Sequence, residues 1–358
     1  MNICKLGDIA KFTTGKLNSN AAQDNGKYPF FTCAPEALKI DDYAFDTEAI
    51  ILAGNNADGN FHIQHFKGKF NAYQRTYVIE SSDENKVYTK YLYYALKTCL
   101  LHFKQISQGS ATKFLTAKIL NSFELPIPEI EIQKKIAGTL GNLDKKIKTN
   151  EAINENLCDQ MKAIYLHAKK SSIWNECKLG EILTFYDHMR KPLSSRQREG
   201  MVRLYPYYGA TSVVDYVDAY IFDGVYILIS EDGANVVDAL GHPLIQYTYG
   251  KFWVNNHAHI VQGNMFYSEA LLFALLKTLN MSSIVTGAAQ PKINQANLKD
   301  FCIVAPSNQE AMHLSNVLNP FLEQIIKNDL QNTILSNLRD TLLPRLMSGE
   351  LDISNLDI

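Results

Sequence analysis

Two histidine pairs have the spacing that most readily suggests chemistry. His62 with His65, and His257 with His259, could each bring two imidazoles to one metal ion. No third ligand accompanies either pair. The six cysteines (Cys4, Cys33, Cys99, Cys158, Cys177, Cys302) are scattered singly, without a C-x-x-C pair, so no metal site is expected. Glu129, Glu131 and Lys134 have the residue types of a nuclease centre, but a helix start with acidic residues followed by lysines accounts for them. The chain has no G-x-x-x-x-G-K-[ST] loop to cradle ATP phosphates. Nor does it have the [DN]-P-P-[YF] string of adenine methyltransferases; Asn319-Pro320-Phe321 is a broken version of it. No residue is assigned a catalytic role, and the expectation is a non-enzyme.

The other chemistry available is contact chemistry. Cations suit phosphates, while amides and guanidinium groups suit base edges. The first half has a polar loop at Lys16, Asn18, Ser19 and Asn20, and a second one, 55–60, that opens with Asn55 and Asn56. His62, His65, Lys67, Lys69, Gln74 and Arg75 follow closely, and Ser110, Thr112 and Lys113 lie in a glycine-led loop further on. The second half has a basic loop with Arg190, Lys191, Arg196, Arg198 and Arg203, then Lys251, Asn255, Asn256 and His257, then Gln290 and Lys292 in another glycine-led loop. All are candidate DNA contacts, and the 190–203 loop is the expected phosphate-binding patch. The net charge of −2 and pI near 6.5 run against a nonspecific nucleic-acid binder. Residues 306–358, however, are strongly acidic and hide basic stretches elsewhere.

The elements that must hold these residues occur twice. The opening Cys4-Lys5-Leu6-Gly7-Asp8-Ile9 returns as Cys177-Lys178-Leu179-Gly180-Glu181-Ile182, and Tyr28-Pro29-Phe30-Phe31 returns as Tyr205-Pro206-Tyr207-Tyr208. Phe45-Asp46, Gly68-Lys69-Phe70 and the stretch from Gly109 answer Phe222-Asp223, Gly250-Lys251-Phe252 and the stretch from Gly287. Several matches in one order mark an internal duplication. Each copy reads as short strands (28–32, 50–53 and 73–79; then 205–208, 226–230 and 258–262), a helix (88–103; 268–279), a proline-marked exit and a long helix. Asn55-Asn56 aligns with Glu231-Asp232 in this reading, and the basic 190–203 loop has no counterpart. The two heads are therefore expected to read different bases, and the target to be asymmetric.

Both long helices carry coiled-coil seams. Leu140, Leu143, Ile147, Asn150, Asn154, Leu157, Met161, Ile164 and Ala168 keep a 3–4 spacing. So do Leu318, Phe321, Ile325, Asn328, Asn332, Leu335, Arg339, Leu342 and Leu346. Both seams turn polar at the same two layers, which suits a register lock. Antiparallel packing should set Asn150 against Asn332 and Asn154 against Asn328, with Leu157 facing Ile325, Ile147 facing Leu335 and Met161 facing Phe321. A helix over 131–170 is about 60 Å long, against about 34–36 Å for one DNA turn, so the pair could act as a ruler. Inserting one matched heptad into both helices should then add about 10 Å, or about three base pairs of spacer, with both half-sites unchanged. An unchanged spacer would refute the ruler.

At this point the chain resembles the specificity subunits of type I restriction–modification enzymes. The resemblance covers nearly the whole chain. It rests on the doubled K-L-G-[DE]-I openings, the G-x-x-x-K-x-[LI] loop before a proline-bounded exit, and the ending Arg339-Asp340-Thr341-Leu342-Leu343-Pro344-Arg345-Leu346-Met347-Ser348-Gly349-Glu350. It implies two target-recognition domains that each read half of a split double-stranded DNA sequence. The helices would bind two modification (methyltransferase) subunits, and restriction (motor–nuclease) subunits would join that core. The chain itself would need no cofactor. The assembled complex would use S-adenosylmethionine for methylation, and ATP with magnesium for cleavage.

The resulting expectation is an α+β protein with an internal two-fold repeat. Residues 1–130 form the first target-recognition domain, 131–171 the central spacer helix, 172–306 the second target-recognition domain, and 307–358 the distal spacer helix and tail. An antiparallel coiled coil is expected to hold the two domains apart. No run of about eighteen apolar residues and no signal-peptide core is present, so a cytoplasmic protein without a membrane partner is expected. Two alternatives stay open. One is the specificity subunit of a related restriction system that works with a single methylase–nuclease chain. The other is a coiled-coil protein–protein scaffold with no DNA role.

Overall fold

The computed structural model describes residues 2–287 and 289–353; the end of the 307–358 segment therefore lies outside the described residues. The chain divides into two compact units. The first comprises residues 1–147 and 333–358, the second 148–332, so each contains one head and part of both long helices. These helices run Ile130–Ser171 and Asn308–Ser348. Ser307 caps the second of them: its Oγ accepts from the Glu310 amide at 3.4 Å, and the Glu310 carboxylate accepts from the Ser307 amide at 3.1 Å.

In the first unit a six-stranded sheet has the order Ala10–Thr14, Thr76–Ser81, Phe45–Ala53, Ile63–Ala72, Tyr28–Phe31, Leu38–Ile40. The central strand is buried on both sides, which explains its continuous apolar run. Ile50 and Leu52 face one cluster with the helix Thr89–Thr98 and with Leu140 and Leu346. Ala49 and Ile51 face another with Phe31, Phe70 and Val78. A ribbon of Asn2–Lys5 and Glu124–Ile127 closes the head beside the central helix.

The second unit repeats this order with its long strands broken. One four-stranded sheet runs Leu183–Phe185, Ala258–Gly263, Tyr226–Ser230, Ile245–Thr248. The other runs Val213–Val217, Tyr205–Tyr208, Lys251–Val254, Phe222–Asp223. The breaks fall at Gly224 and Gly250, which have φ +138° and +68°. Backbone of this kind favours glycine. The alternation of faces persists, with Ile227 and Ile229 in one cluster and Leu228 in the other.

Sequence and structure agree closely on the strands at Tyr205–Tyr208 and Tyr226–Ser230. The predicted 73–79 strand begins only at Thr76, because Tyr73, Gln74 and Arg75 form the turn before it. The predicted 88–103 helix is two helices, Thr89–Thr98 and Leu100–Ile106.

The helices pair antiparallel inside each unit. In the second, the Asn328 amide donates to Asn154 Oδ1 at 2.7 Å, and the Asn150 amide donates to Asn332 Oδ1 at 2.8 Å, in the expected register. Asn154 also donates to Asp329 at 2.7 Å, and that carboxylate takes the Tyr247 hydroxyl at 2.6 Å, fastening the head's sheet to the seam. In the first unit Asp144 plays the matching part, between Tyr94 of the head at 2.5 Å and Arg339 of the distal helix at 2.9 Å. The arginine in the seam thus has a carboxylate facing it across the helix pair.

Candidate nucleic-acid interface

In the first head three loops meet. Gln74 donates its backbone N–H to Leu17 O at 2.9 Å and its side-chain amide to Asn18 Oδ1 at 2.7 Å. Gly54 N–H donates to Arg75 O at 2.8 Å, and Asn55 and Asn56 pair in a short ladder with Phe114 and Lys113. The fold therefore gathers Asn18, Asn55, Asn56, Gln74, Arg75 and Lys113. Lys16 is exposed beside Leu17, and Ser110 and Thr112 lie in the loop that Gly109 opens. Gly109 has φ +102°, and a Cβ there would meet Thr112 O at 2.0 Å; its counterpart Gly287 has φ +84°, with Gln290 O at 2.3 Å. The same glycine turn thus opens both loops.

Several candidates in this head already have partners within the protein. Asn56 Oδ1 accepts the amides of Asp58 and Asn60 at 2.9 and 3.0 Å, so it shapes its own loop. Lys67 and Lys69 stand in mid-strand, opposite Glu48 and Asp46. Lys67 Nζ is 2.8 Å from the Glu48 carboxylate, which His65 also contacts at 2.9 Å; Lys69 Nζ lies 4.6 Å from the centre of the Tyr43 ring. His62 is half-buried, and its carbonyl accepts from Ala53 N–H at 2.9 Å. Two residues without a sequence signal join the cluster. Cys33 Sγ is 2.8 Å from Asn55 Oδ1, and Lys104 Nζ donates to Asn60 Oδ1 at 2.9 Å.

The basic loop of the second head is only partly a cationic surface. Arg190 is directed inward. It bridges Glu231 at 2.5 Å and donates to Ala258 O at 2.9 Å. Arg198 pairs with Asp215 at 2.6 Å, 4.9 Å from the centre of the Tyr207 ring, and Arg203 takes the other oxygen of Asp215 at 3.2 Å. Lys191 and Arg196 are exposed and make no ion pair among the described residues. Lys251 packs 4.7 Å from the Tyr220 ring centre, matching Lys69 over Tyr43. Asn255 is buried and accepts the His257 amide at 2.8 Å. Asn256 and Gln290 are exposed, and His257 Nδ1 lies 2.6 Å from Asp232 Oδ1.

Beneath this surface lies an ionic network. Glu231 holds Arg190 and, at 3.0 Å, Lys292; Asp187 holds His259 at 2.6 Å, Gln295 at 2.8 Å and the Ile260 amide at 2.9 Å. Burial works to raise both carboxyl pKa values. The hydrogen bonds from Arg190 and Lys292 to Glu231, and from His259 to Asp187, outweigh it and hold both below their ordinary values. Asp187, Glu231 and His259 present three ligand atoms within 4.8 Å of one another. Protein donors, two of them cationic, already occupy these carboxylates, so the donor set is that of an ion-pair network, not of a metal centre.

The structural correspondence of the heads differs by one residue from the sequence alignment. Leu115 N–H donates to Gly54 O, and Ile293 N–H to Glu231 O, both at 2.9 Å. Asn55 pairs with Phe114 as Asp232 does with Lys292. Gly54 therefore corresponds to Glu231, and Asn55 to Asp232. Tyr77 and His259 also match, each bonded to the carbonyl of Leu115 or Ile293 at 2.9 and 2.8 Å. Under the same surface, one head keeps an aromatic ring over a glycine and the other an imidazole in a salt-bridge network.

The model of the family described as type I restriction modification DNA specificity domain matches residues 1–158 and, again, 172–338. The chain is 38% identical over 153 residues to the type I restriction enzyme EcoDI specificity subunit of Escherichia coli, covering 43% of this chain and 33% of that protein. To the type I restriction enzyme MjaIX specificity subunit of Methanocaldococcus jannaschii it is 24% identical over 312 residues, 75% of this chain and 71% of the relative. The aligned part spans about a third of the length of the first curated relatives. The crystal structure of a type I restriction–modification S subunit from M. genitalium aligns with a TM-score of 0.60 at 18% identity, over 99% of this chain and 96% of that one. The two share a fold. Among the described residues, no helix is long and apolar enough to cross a membrane.

Proposed function

Because the chain belongs to the family of type I restriction–modification DNA specificity domains, we propose that it is the DNA-reading subunit of such a system, with each head reading one half of a split, asymmetric target. One observation carries this reading. Two copies of one scaffold present polar loops at corresponding places but furnish them with different chemistry: Asn55 and Arg75 in one, Asp232 and His257 in the other. A scaffold that only joins proteins has no reason to keep the loop framework and change its hydrogen-bonding groups. Amides, guanidinium groups and imidazoles suit the edges of bases.

In this reading the protein acts in the cytoplasm and carries no chemical step. Two modification subunits dock on the helices and transfer methyl groups from S-adenosylmethionine to adenines, and restriction subunits supply ATP- and magnesium-dependent cleavage. This chain positions them. Lys191 and Arg196, exposed and without ion pairs among the described residues, are proposed phosphate contacts. Replacing both with alanine should weaken binding to every sequence alike and flatten the salt dependence by about 0.9 per lost contact. An unchanged slope would remove them from the interface.

The deciding experiment is a genome-wide map of N6-methyladenine in the source cell with and without the gene. Loss of a split, non-palindromic motif on deletion is the expected result. Unchanged methylation, together with no salt-sensitive DNA binding by the chain purified with its modification subunit, would replace this reading with the scaffold.

A further inference from the structure

We propose that Arg75 in the first head and His257 in the second are corresponding base-reading residues, the first backed by Phe114 and the second oriented by Asp232. This inference rests on the DNA-reading function proposed above and names where in each head sequence is read.

The correspondence is structural. Arg75 O accepts from Gly54 N–H at 2.8 Å, and His257 O accepts from Glu231 N–H at 2.9 Å. The residues that follow, Thr76 and Ala258, pair with Ala53 and Ser230 at the same rung of the two sheets. Arg75 and His257 are both exposed, while the residues just behind them are fully buried. The backbone thus lifts one side chain at the same corner of each head.

The chemistry at each corner is selective. Arg75 is the only arginine in residues 1–130. Arg190, Arg198 and Arg203 of the other head all meet carboxylates, whereas Arg75 has no ion pair among the described residues. Its guanidinium carbon lies 5.8 Å from the centre of the Phe114 ring, so the ring backs the charged fork itself. A planar fork held in this way matches guanine O6 and N7. His257 offers a smaller group. With Nδ1 at 2.6 Å from Asp232 Oδ1, the ring is fixed and Nε2 is the atom left for a base. Asp232 is the more buried partner, at 16% side-chain exposure against 48% for His257, so it acts as a positioning residue.

The test uses the chain assembled with its modification subunit, methylating a randomised DNA library whose methylated adenines are then mapped. The wild type should return a split motif. Arg75→Ala should make one position of one half degenerate, losing about 5- to 150-fold discrimination, the range of one bidentate contact. The spacer and the other half should not change, and that intact half is the control for folding. His257→Ala should relax one position in the other half, and Asp232→Asn the same position to a smaller degree. An unchanged motif in both alanine variants would overturn the assignment. So would equal weakening at all positions with a flatter salt slope, which marks phosphate contacts. A wild-type complex that returns no motif would instead remove the DNA-reading function itself, and this inference with it.

Discussion

Replacing Glu231 with alanine is expected to cost the second unit about 3–5 kcal/mol, the loss typical when one partner of a buried ion pair is removed. The substitution leaves Arg190, Lys292 and His259 without their shared carboxylate, which now sits 2.5, 3.0 and 3.7 Å from them. Both tryptophans, Trp174 and Trp253, lie in residues 148–332, so their fluorescence follows this unit alone during urea unfolding. The pH dependence gives the same test a sign. Glu231 and Asp187 are held below the ordinary carboxylate range in the folded state. The stability they contribute is therefore complete above the unfolded values, about 4.3 and 3.9, and is lost as pH falls through the lower folded ones. The wild type should weaken below about pH 4, and Glu231→Ala should show a shallower acid slope. If neither the urea midpoint nor the acid slope moves, the network does not hold this head together.

That network also marks where sequence reading runs out. The duplication is legible because aromatic and glycine positions recur in order, and the same turn needs Gly109 and Gly287 in both heads. The seam is legible because helical period and matched asparagines suffice to set Asn154 against Asn328. The fate of Arg190 is not legible. Its partner Glu231 is 41 residues away, and nothing local separates an inward arginine from one facing solvent. Of the basic residues expected over 190–203 to contact phosphate, Arg190, Arg198 and Arg203 each meet a carboxylate, whereas Lys191 and Arg196 make no ion pair among the described residues. The one-residue alignment slip has a related cause. Gly54 is a glycine because a Cβ would meet Arg75 O at 2.5 Å and the Tyr77 ring at 3.1 Å. In the second head His259 replaces that tyrosine, and Glu231 reaches into the space toward Lys292. Sequence alone matched the paired amides to the paired acids, whereas the ladder matches glycine to glutamate. With a shift of 177 instead of 176, Asp232 aligns with Asn55.

The second large effect lies in the seam. Asn154 and Asn328 are both buried and bonded to each other, whereas Asn150 Oδ1 has no partner among the described residues. The 154/328 layer is therefore the better satisfied of the two. Substituting either residue with leucine leaves the opposite amide buried without its partner, at a cost of about 1–3 kcal/mol. The double substitution removes both polar groups and should cost less than the sum of the singles, with a coupling of about 0.5–3 kcal/mol in a double-mutant cycle. Recovery should stop short of complete, because Asn154 also donates to Asp329, which would keep only the Tyr247 hydroxyl of these two donors. Additive singles would mean that the two amides do not lock the helices and that the matched polar layers are incidental. Coupling, with a double variant whose methylation motif tolerates more than one spacer length, would identify them as the element that stops the helices sliding past one another. Apolar seams pair in several registers about equally well, and a buried amide pair is satisfied in only one.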